Sequence, residues 1–358
     1  MLVLSGKKLF CGAAVGDGLA VGGDQPELAL LHASGAADPL VLHGHNDYVN
    51  SIVAAATPNG THLLASASCD GTVALRRVKS IDAIRFDCSL ERVLKGHRGP
   101  CRSVCFLDDA GTLLASAGGH GDLSVRIWHT AGQTRSHVLT CLRGGQSKKR
   151  PLLGHTAAPI ESVLRVTDSL LASASLDETV RLWDVEALCA THVLRGHRRE
   201  ALALCANYPL LLSSSDDRTI RVWDCRSMET VQILRGAHSG SVYAVEMITP
   251  DVCVSGGADG KLAAYDLRKN GKGPMFSQEH AHGIRACNKI LVTKPLSLGG
   301  AEVASLWSFG DDGCMRSWLC GSSSFAEITP HNGEASAVLG TCRSGSEVLL
   351  ASAAHDMN

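Results

Sequence analysis

A chain of 358 residues is longer than the roughly 250–300 residues at which one hydrophobic core stops growing, so it holds either two domains or an array of repeats. Hydrophobic residues at 45% and charged residues at 19% exclude a disordered chain. With 34 basic and 35 acidic side chains and a net charge of −1, generic attraction to nucleic acid or to a membrane surface is excluded as well. No apolar run is long enough for a membrane-spanning helix.

At the N-terminus, Lys7 and Lys8 lie among apolar residues, whereas a secretory leader puts its charge first. The 14 cysteines are scattered, with no CxxC pair. Most sit in apolar runs, as Cys205 does, where a thiol behaves as a small buried hydrophobe. No disulfide framework, metal site or cofactor is expected, and the chain is assigned to a reducing compartment, cytoplasm or nucleus.

Short strands then follow one another along the chain. Met1–Gly6 reads like Leu40–Gly44, an outer strand leading into a new unit. From there one pattern recurs: Gly-His, an apolar strand, a second strand such as Leu170–Ser175 or Leu210–Ser215, an Asp, and a third strand ending in Trp-Asp. The turn aspartates are Asp24, Asp70, Asp122, Asp177, Asp217, Asp259, Asp312 and Asp356. Six residues after each, an aromatic stands in five units (Trp128, Trp183, Trp223, Tyr265 and Trp318), while Leu30 and Arg76 replace it in two. Segments such as Thr179–Trp183 alternate with period two, and Asp-Gly at 70–71, 259–260 and 312–313 is a hairpin signal. No sustained helical period appears. Even strands with regular turns mean an all-β sandwich, barrel or propeller, and the repeat length selects the propeller.

At these residues the chain resembles the WD40-repeat family, over nearly its whole length. The resemblance implies a single propeller domain, 1–358, with units near 7–42, 45–95, 97–153, 155–195, 197–235, 238–277, 282–330 and 331–358 plus 1–6. It implies about eight blades, or alternatively seven with leftover strands, and a ring closed by Met1–Leu4 pairing into the last blade. It also implies a structural hydrogen-bonded set in each blade, best matched by His155, Ser173, Asp177, Trp183 and by His197, Ser213, Asp217, Trp223. These sets look like catalytic triads, but a triad is needed once and these recur, so no catalytic residue is assigned.

None of the common nucleotide, zinc-protease or serine-hydrolase motifs occurs. The expected function is therefore a non-enzymatic scaffold for proteins or peptides, with nucleic acid and membrane disfavoured. Family positions on the narrow face transfer to Tyr48, Asn50, Arg102, Ile160, Glu200, Asp216, Tyr243, Arg285, Asp311 and Glu334, a mixture of aromatic, Arg and acid that suits a binding rim. A second expectation comes from Trp223-Asp224-Cys225-Arg226 and Tyr265-Asp266-Leu267-Arg268. They resemble the WDxR box that docks substrate receptors on the adaptor of cullin-RING ubiquitin ligases, through Arg226 and Arg268. In the Asp108-Asp109 pair, Asp108 is expected in an exposed turn.

Overall fold

The computed structural model describes residues 8–16, 18–32, 39–81, 85–130, 136–139, 155, 158–269, 273–278, 281, 285–298, 301–312, 315–320, 325–327, 335–342 and 348–355. Every element among them is a β-strand. Seven sheets have four strands and an eighth has two. The first is β1 (Leu9–Val15), β2 (Gly18–Gly23), β3 (Leu28–His32) and β4 (Leu40–Leu42). The second is β5 (Val49–Ala56), β6 (His62–Ser68), β7 (Thr72–Ser80) and β8 (Phe86–Lys95). The third is β9 (Cys101–Phe106), β10 (Leu113–Gly118), β11 (Val125–His129) and β12 (Ser136–Leu139). The fourth is β13 (Ile160–Arg165), β14 (Leu170–Ser175), β15 (Thr179–Asp184) and β16 (Cys189–Arg195). The fifth is β17 (Ala201–Asn207), β18 (Leu210–Ser215), β19 (Ile220–Asp224) and β20 (Glu229–Leu234). The sixth is β21 (Val242–Thr249), β22 (Val252–Gly257), β23 (Leu262–Asp266) and β24 (Phe276–Gln278). The seventh is β25 (Cys287–Leu298), β26 (Ala301–Gly310), β27 (Met315–Cys320) and β28 (Phe325–Glu327). The last pair is β29 (Ala335–Cys342) with β30 (Val348–His355).

Within each sheet consecutive strands pair antiparallel in chain order, as short connections dictate. Second strands are the most buried: β2 throughout, and β6, β10, β14, β18 and β22 after their first residue. Outer strands such as β8 and β16 face solvent over much of their length. The turn between second and third strands needs positive φ, which Gly71 and Gly260 supply at 80° and 72°. Glu178 and Arg218 take the same left-handed conformation at 66° without being glycine.

The core is a series of apolar seams between neighbouring sheets. Val49 and Ile52 meet the first sheet, and Cys101, Val104 and Trp128 meet the second. Ile160 and Trp183 meet the third, and Leu204 and Trp223 the fourth. Val242 and Val245 meet the fifth, and Cys287 and Ile290 the sixth. In the remaining seam Trp307 and Phe309 of β26 pack on Leu9, Leu19, Val21, Ala29 and Leu31. The amide of Asn288 also donates to the Leu9 carbonyl at 3.1 Å.

The eight-blade expectation is corrected by these contacts. The repeat motifs count units along the chain, but the first sheet packs on the seventh, and the β29–β30 pair lies beside β27. The closing strand Met1–Leu4 falls outside the described residues.

Candidate interaction face

The turn aspartates hold their sheets together at one end. In the fourth sheet His155 bridges Asp177 (2.8 Å) and Ser173 (2.8 Å), and the Trp183 indole donates to the same Ser173 oxygen at 2.8 Å. In the fifth, His197 bridges Asp217 (3.0 Å) and Ser213 (2.7 Å), and Trp223 donates to Ser213 at 2.8 Å. The third repeats this with His97, Asp122, Ser116 and Trp128. In the sixth, His238 joins Asp259 and Ser255, with Tyr265 facing the serine. The remaining Asp177 oxygen accepts from the Thr179 amide at 3.0 Å, so both carboxylate oxygens are occupied within the blade. Leu30 and Arg76, the two departures from the aromatic pattern, are both buried.

Electrostatics agree with a structural role. Burial alone raises the Asp177 carboxyl, but hydrogen bonds from His155 and Thr179 outweigh it and hold the group far below the usual carboxylate range. Burial pushes His155 down, favouring the neutral ring. Burial also pushes the thiols of Cys11, Cys105, Cys253 and Cys287 up to about 12, which leaves them unreactive.

The inner strands set the rim around the centre at this end. Their first residues, Val49, Cys101, Ile160, Ala201, Val242 and Cys287, are all fully buried. Their second residues, Asn50, Arg102, Glu161, Leu202, Tyr243 and Asn288, are half-buried or exposed. Ile160 is therefore a correction: it is a seam residue, and Glu161 holds the rim position. The first strand residue follows its histidine by four positions in the second, third, fifth and sixth sheets, as Cys101 follows His97, but Ile160 follows His155 by five. That extra residue shifts the frame, and aligning strand starts rather than histidines finds Glu161. Across the rim Arg102 lies 3.7 Å from Glu161, and Asn50 donates to the Cys101 carbonyl at 2.9 Å.

The other predicted positions are mixed. Tyr48 is exposed and meets Phe10 edge-on, and Arg285 is exposed. Glu200 is half-buried. Asp216 is bound by Arg199 at 2.7 Å and by the Ser241 hydroxyl. Asp311 accepts from Asn288 at 2.8 Å and pairs with Lys8 at 3.5 Å. Glu334 falls outside the described residues.

Arg226 and Arg268 are both engaged within the chain. Arg226 forks onto Asp224 through Nε (3.1 Å) and Nη2 (2.7 Å), and Arg268 forks onto Asp266 at 2.9 Å through each. The Arg226 bonds hold the Asp224 carboxyl down at about 2. A docking box needs its guanidinium groups free for the adaptor, and in this pairing each arginine braces the end of its own third strand.

Sheets of four antiparallel strands packed face to face, locked in the second to sixth by a His-Ser-Asp set, define a β-propeller. The family model for the WD domain, G-beta repeat, matches at residues 39–75, 88–129, 146–184 and 189–224, so four WD40 repeats lie within this β-propeller. Among curated proteins it is similar to the nuclear distribution protein PAC1-2 of Uncinocarpus reesii, 31% identical over 181 residues, 46% of this chain and 36% of that protein. The nuclear distribution protein nudF of Aspergillus niger is 36% identical over 98 residues, 27% of this chain and 19% of the relative. The PAC1 protein of Gibberella zeae is 35% identical over 120 residues, 30% and 22% respectively. The chain thus matches about a third or less of these relatives' lengths.

Proposed function

We propose that this chain is a non-enzymatic, seven-bladed scaffold in a reducing, cytoplasmic setting, which binds peptide or protein segments across the rim formed by the inner strands. The observation that carries it is the rim itself. It carries two exposed tyrosines, Tyr48 and Tyr243, and a half-buried Arg102–Glu161 pair of opposite charge, with Tyr and Arg among the residue types that dominate protein contacts. The His-Ser-Asp sets are consumed by the fold, which argues against hydrolytic chemistry from them. The relatives' printed role, nuclear distribution, fits a scaffold in an assembly that acts on nuclei. Arg226 and Arg268 are already paired with Asp224 and Asp266 within the chain, which favours the plain scaffold over the ligase-receptor alternative.

The test is affinity capture from cells with quantitative mass spectrometry, comparing the wild type with the double variant Tyr48→Ala, Tyr243→Ala. Both should melt at the same temperature, and the variant should lose the partners that the wild type enriches. A wild type that enriches nothing, or a variant that keeps the same partners, rejects the rim.

A further inference from the structure

A cavity of about 270 Å³ opens beside the fifth sheet at the turn end, lined by Arg198, Arg218, Arg221, Arg235, Asp217 and Thr219 among others. Four guanidinium groups thus surround one carboxylate, and that carboxylate is already used. Its Oδ2 accepts from His197 and the Arg198 amide, both at 3.0 Å, and its Oδ1 accepts from the Thr219 amide (3.0 Å) and hydroxyl (2.6 Å).

The sister blades show what is unusual. Four residues after the turn Asp, Arg126, Arg181 and Arg316 reach their own carboxylates at 3.6, 3.2 and 2.6 Å. In the fifth blade Arg221 has no such ion pair among the described residues. It lies over the Trp223 ring at 5.8 Å, its Nη1 is 3.5 Å from the Thr230 hydroxyl, and its Nε is buried without a partner. Arg198, Arg218 and Arg235 are exposed, and no carboxylate lies within ion-pair distance of them among the described residues. Arg218 sits at φ 66° where matching turns carry Gly71 and Gly260. A non-glycine residue there is strained, and here it places a fourth guanidinium at the cavity.

We propose that this cavity is a binding site for a phosphate monoester dianion. Like charges gathered round a spent carboxylate repel one another, and a compact dianion relieves that repulsion. Planar guanidinium forks match phosphate oxygens bidentately. The four arginines come from one repeat unit and gather at one open cavity rather than along a surface track, which suits a monoester group and not a nucleic-acid backbone. The site stands independently of the rim and of the scaffold reading.

Isothermal titration of the full chain tests it, using phenyl phosphate, inorganic phosphate, and a short phosphoserine peptide with its unphosphorylated parent. The phosphate compounds should bind saturably and the parent peptide should not. The double variant Arg198→Gln, Arg235→Gln should weaken phosphate binding by about tenfold or more, while Lys79→Gln, on a remote strand, should leave it unchanged. Both variants alter exposed side chains, and a matching melting temperature verifies folding. Arg218→Gly, which restores the residue of the sister turns, is a second variant and should also weaken binding. A phosphopeptide that binds about tenfold tighter than inorganic phosphate assigns a protein-borne phosphate, and equal or weaker binding assigns a free anion. The proposal is overturned by absence of saturable binding, by unchanged affinity in the double variant, or by the unphosphorylated parent binding as tightly as the phosphopeptide. Retention of phosphate binding by Tyr48→Ala, Tyr243→Ala separates this site from the rim.

Discussion

In the second blade Arg76 donates through Nη1 to the Ser66 hydroxyl at 2.8 Å, the bond that an indole N–H makes to the matching serine in the third, fourth and fifth blades. Arg76 is 1% exposed, also donates to the His43 carbonyl at 3.0 Å, and so completes a set with His45 and Asp70. Arg76→Ala should destabilise by about 2–4 kcal/mol, from a cavity and acceptors left without a donor. Arg76→Trp should cost less than about 1 kcal/mol, because the serine regains a donor of the family type. Denaturant melts of the two variants check this, and equal losses would show that the arginine is not standing in for the indole.

Asp177→Ala should cost about 1–3 kcal/mol, because it strands the His155 and Thr179 donors. A suitable neutral control is Glu186, whose exposed side chain should tolerate Ala within about ±0.5 kcal/mol. Asp108 does not serve as that control. It is half-buried and accepts from the Thr112 amide at 2.7 Å and from the Thr112 hydroxyl, so the expectation of a freely exposed turn is corrected. Chemical denaturation at neutral pH should rank the two variants in this order.

Stability should fall in two stages on acidification. His155 and His45 have pKa values lowered by burial. The unfolded chain therefore takes up protons first, and stability begins to drop below about pH 6.5. Asp122, Asp177, Asp217 and Asp259 are desolvated, but hydrogen bonds from their histidines hold them low. Their contribution is full above about pH 4 and is lost as the pH falls below that. Melting temperatures measured from pH 8 to pH 3 should show both stages, and a flat profile down to pH 4 would contradict the histidine part.

Glu178→Gly should leave stability unchanged or raise it by up to about 1 kcal/mol, since glycine relieves the left-handed strain at φ 66° while loosening the unfolded chain. A clear loss in a thermal melt would mean that the glutamate side chain holds the turn.

Arg226→Ala together with Arg268→Ala should change neither the partners captured nor the amount of any cullin-RING adaptor recovered, because both guanidinium groups are committed to Asp224 and Asp266. Loss of an adaptor that the wild type retains would restore the ligase reading.

What was legible in the sequence was local. The turn aspartates, histidines and serines sit at fixed spacings, so their sets could be named residue by residue. Ile160 failed because one extra loop residue moved the frame, which a fixed offset from a histidine cannot detect. The number of places in the ring was not legible, because it depends on Leu9 meeting Phe309, three hundred positions apart in the chain. Nor did the Trp-Asp-Cys-Arg motif disclose that its arginine folds back two residues onto Asp224. The cavity beside Asp217 could have been sought, since Arg198, Arg218, Arg221 and Arg235 all fall within one unit.

Of the seven seams, six are crossed by the chain as it passes from one sheet to the next. The seam between Leu9, Leu19 and Val21 and the pair Trp307 and Phe309 joins sheets from opposite ends of the chain, and among the described strands no ladder runs across it. Among the described residues the ring is in that sense a split washer, whose two lips are held by side-chain packing and by polar links such as Asn288 to Leu9 and Lys8 to Asp311. Were the ring to open, this is the seam at which the lips would part with each four-stranded sheet left intact. Amides of β1 and β25 would then exchange with solvent sooner than those of the inner strands on the far side.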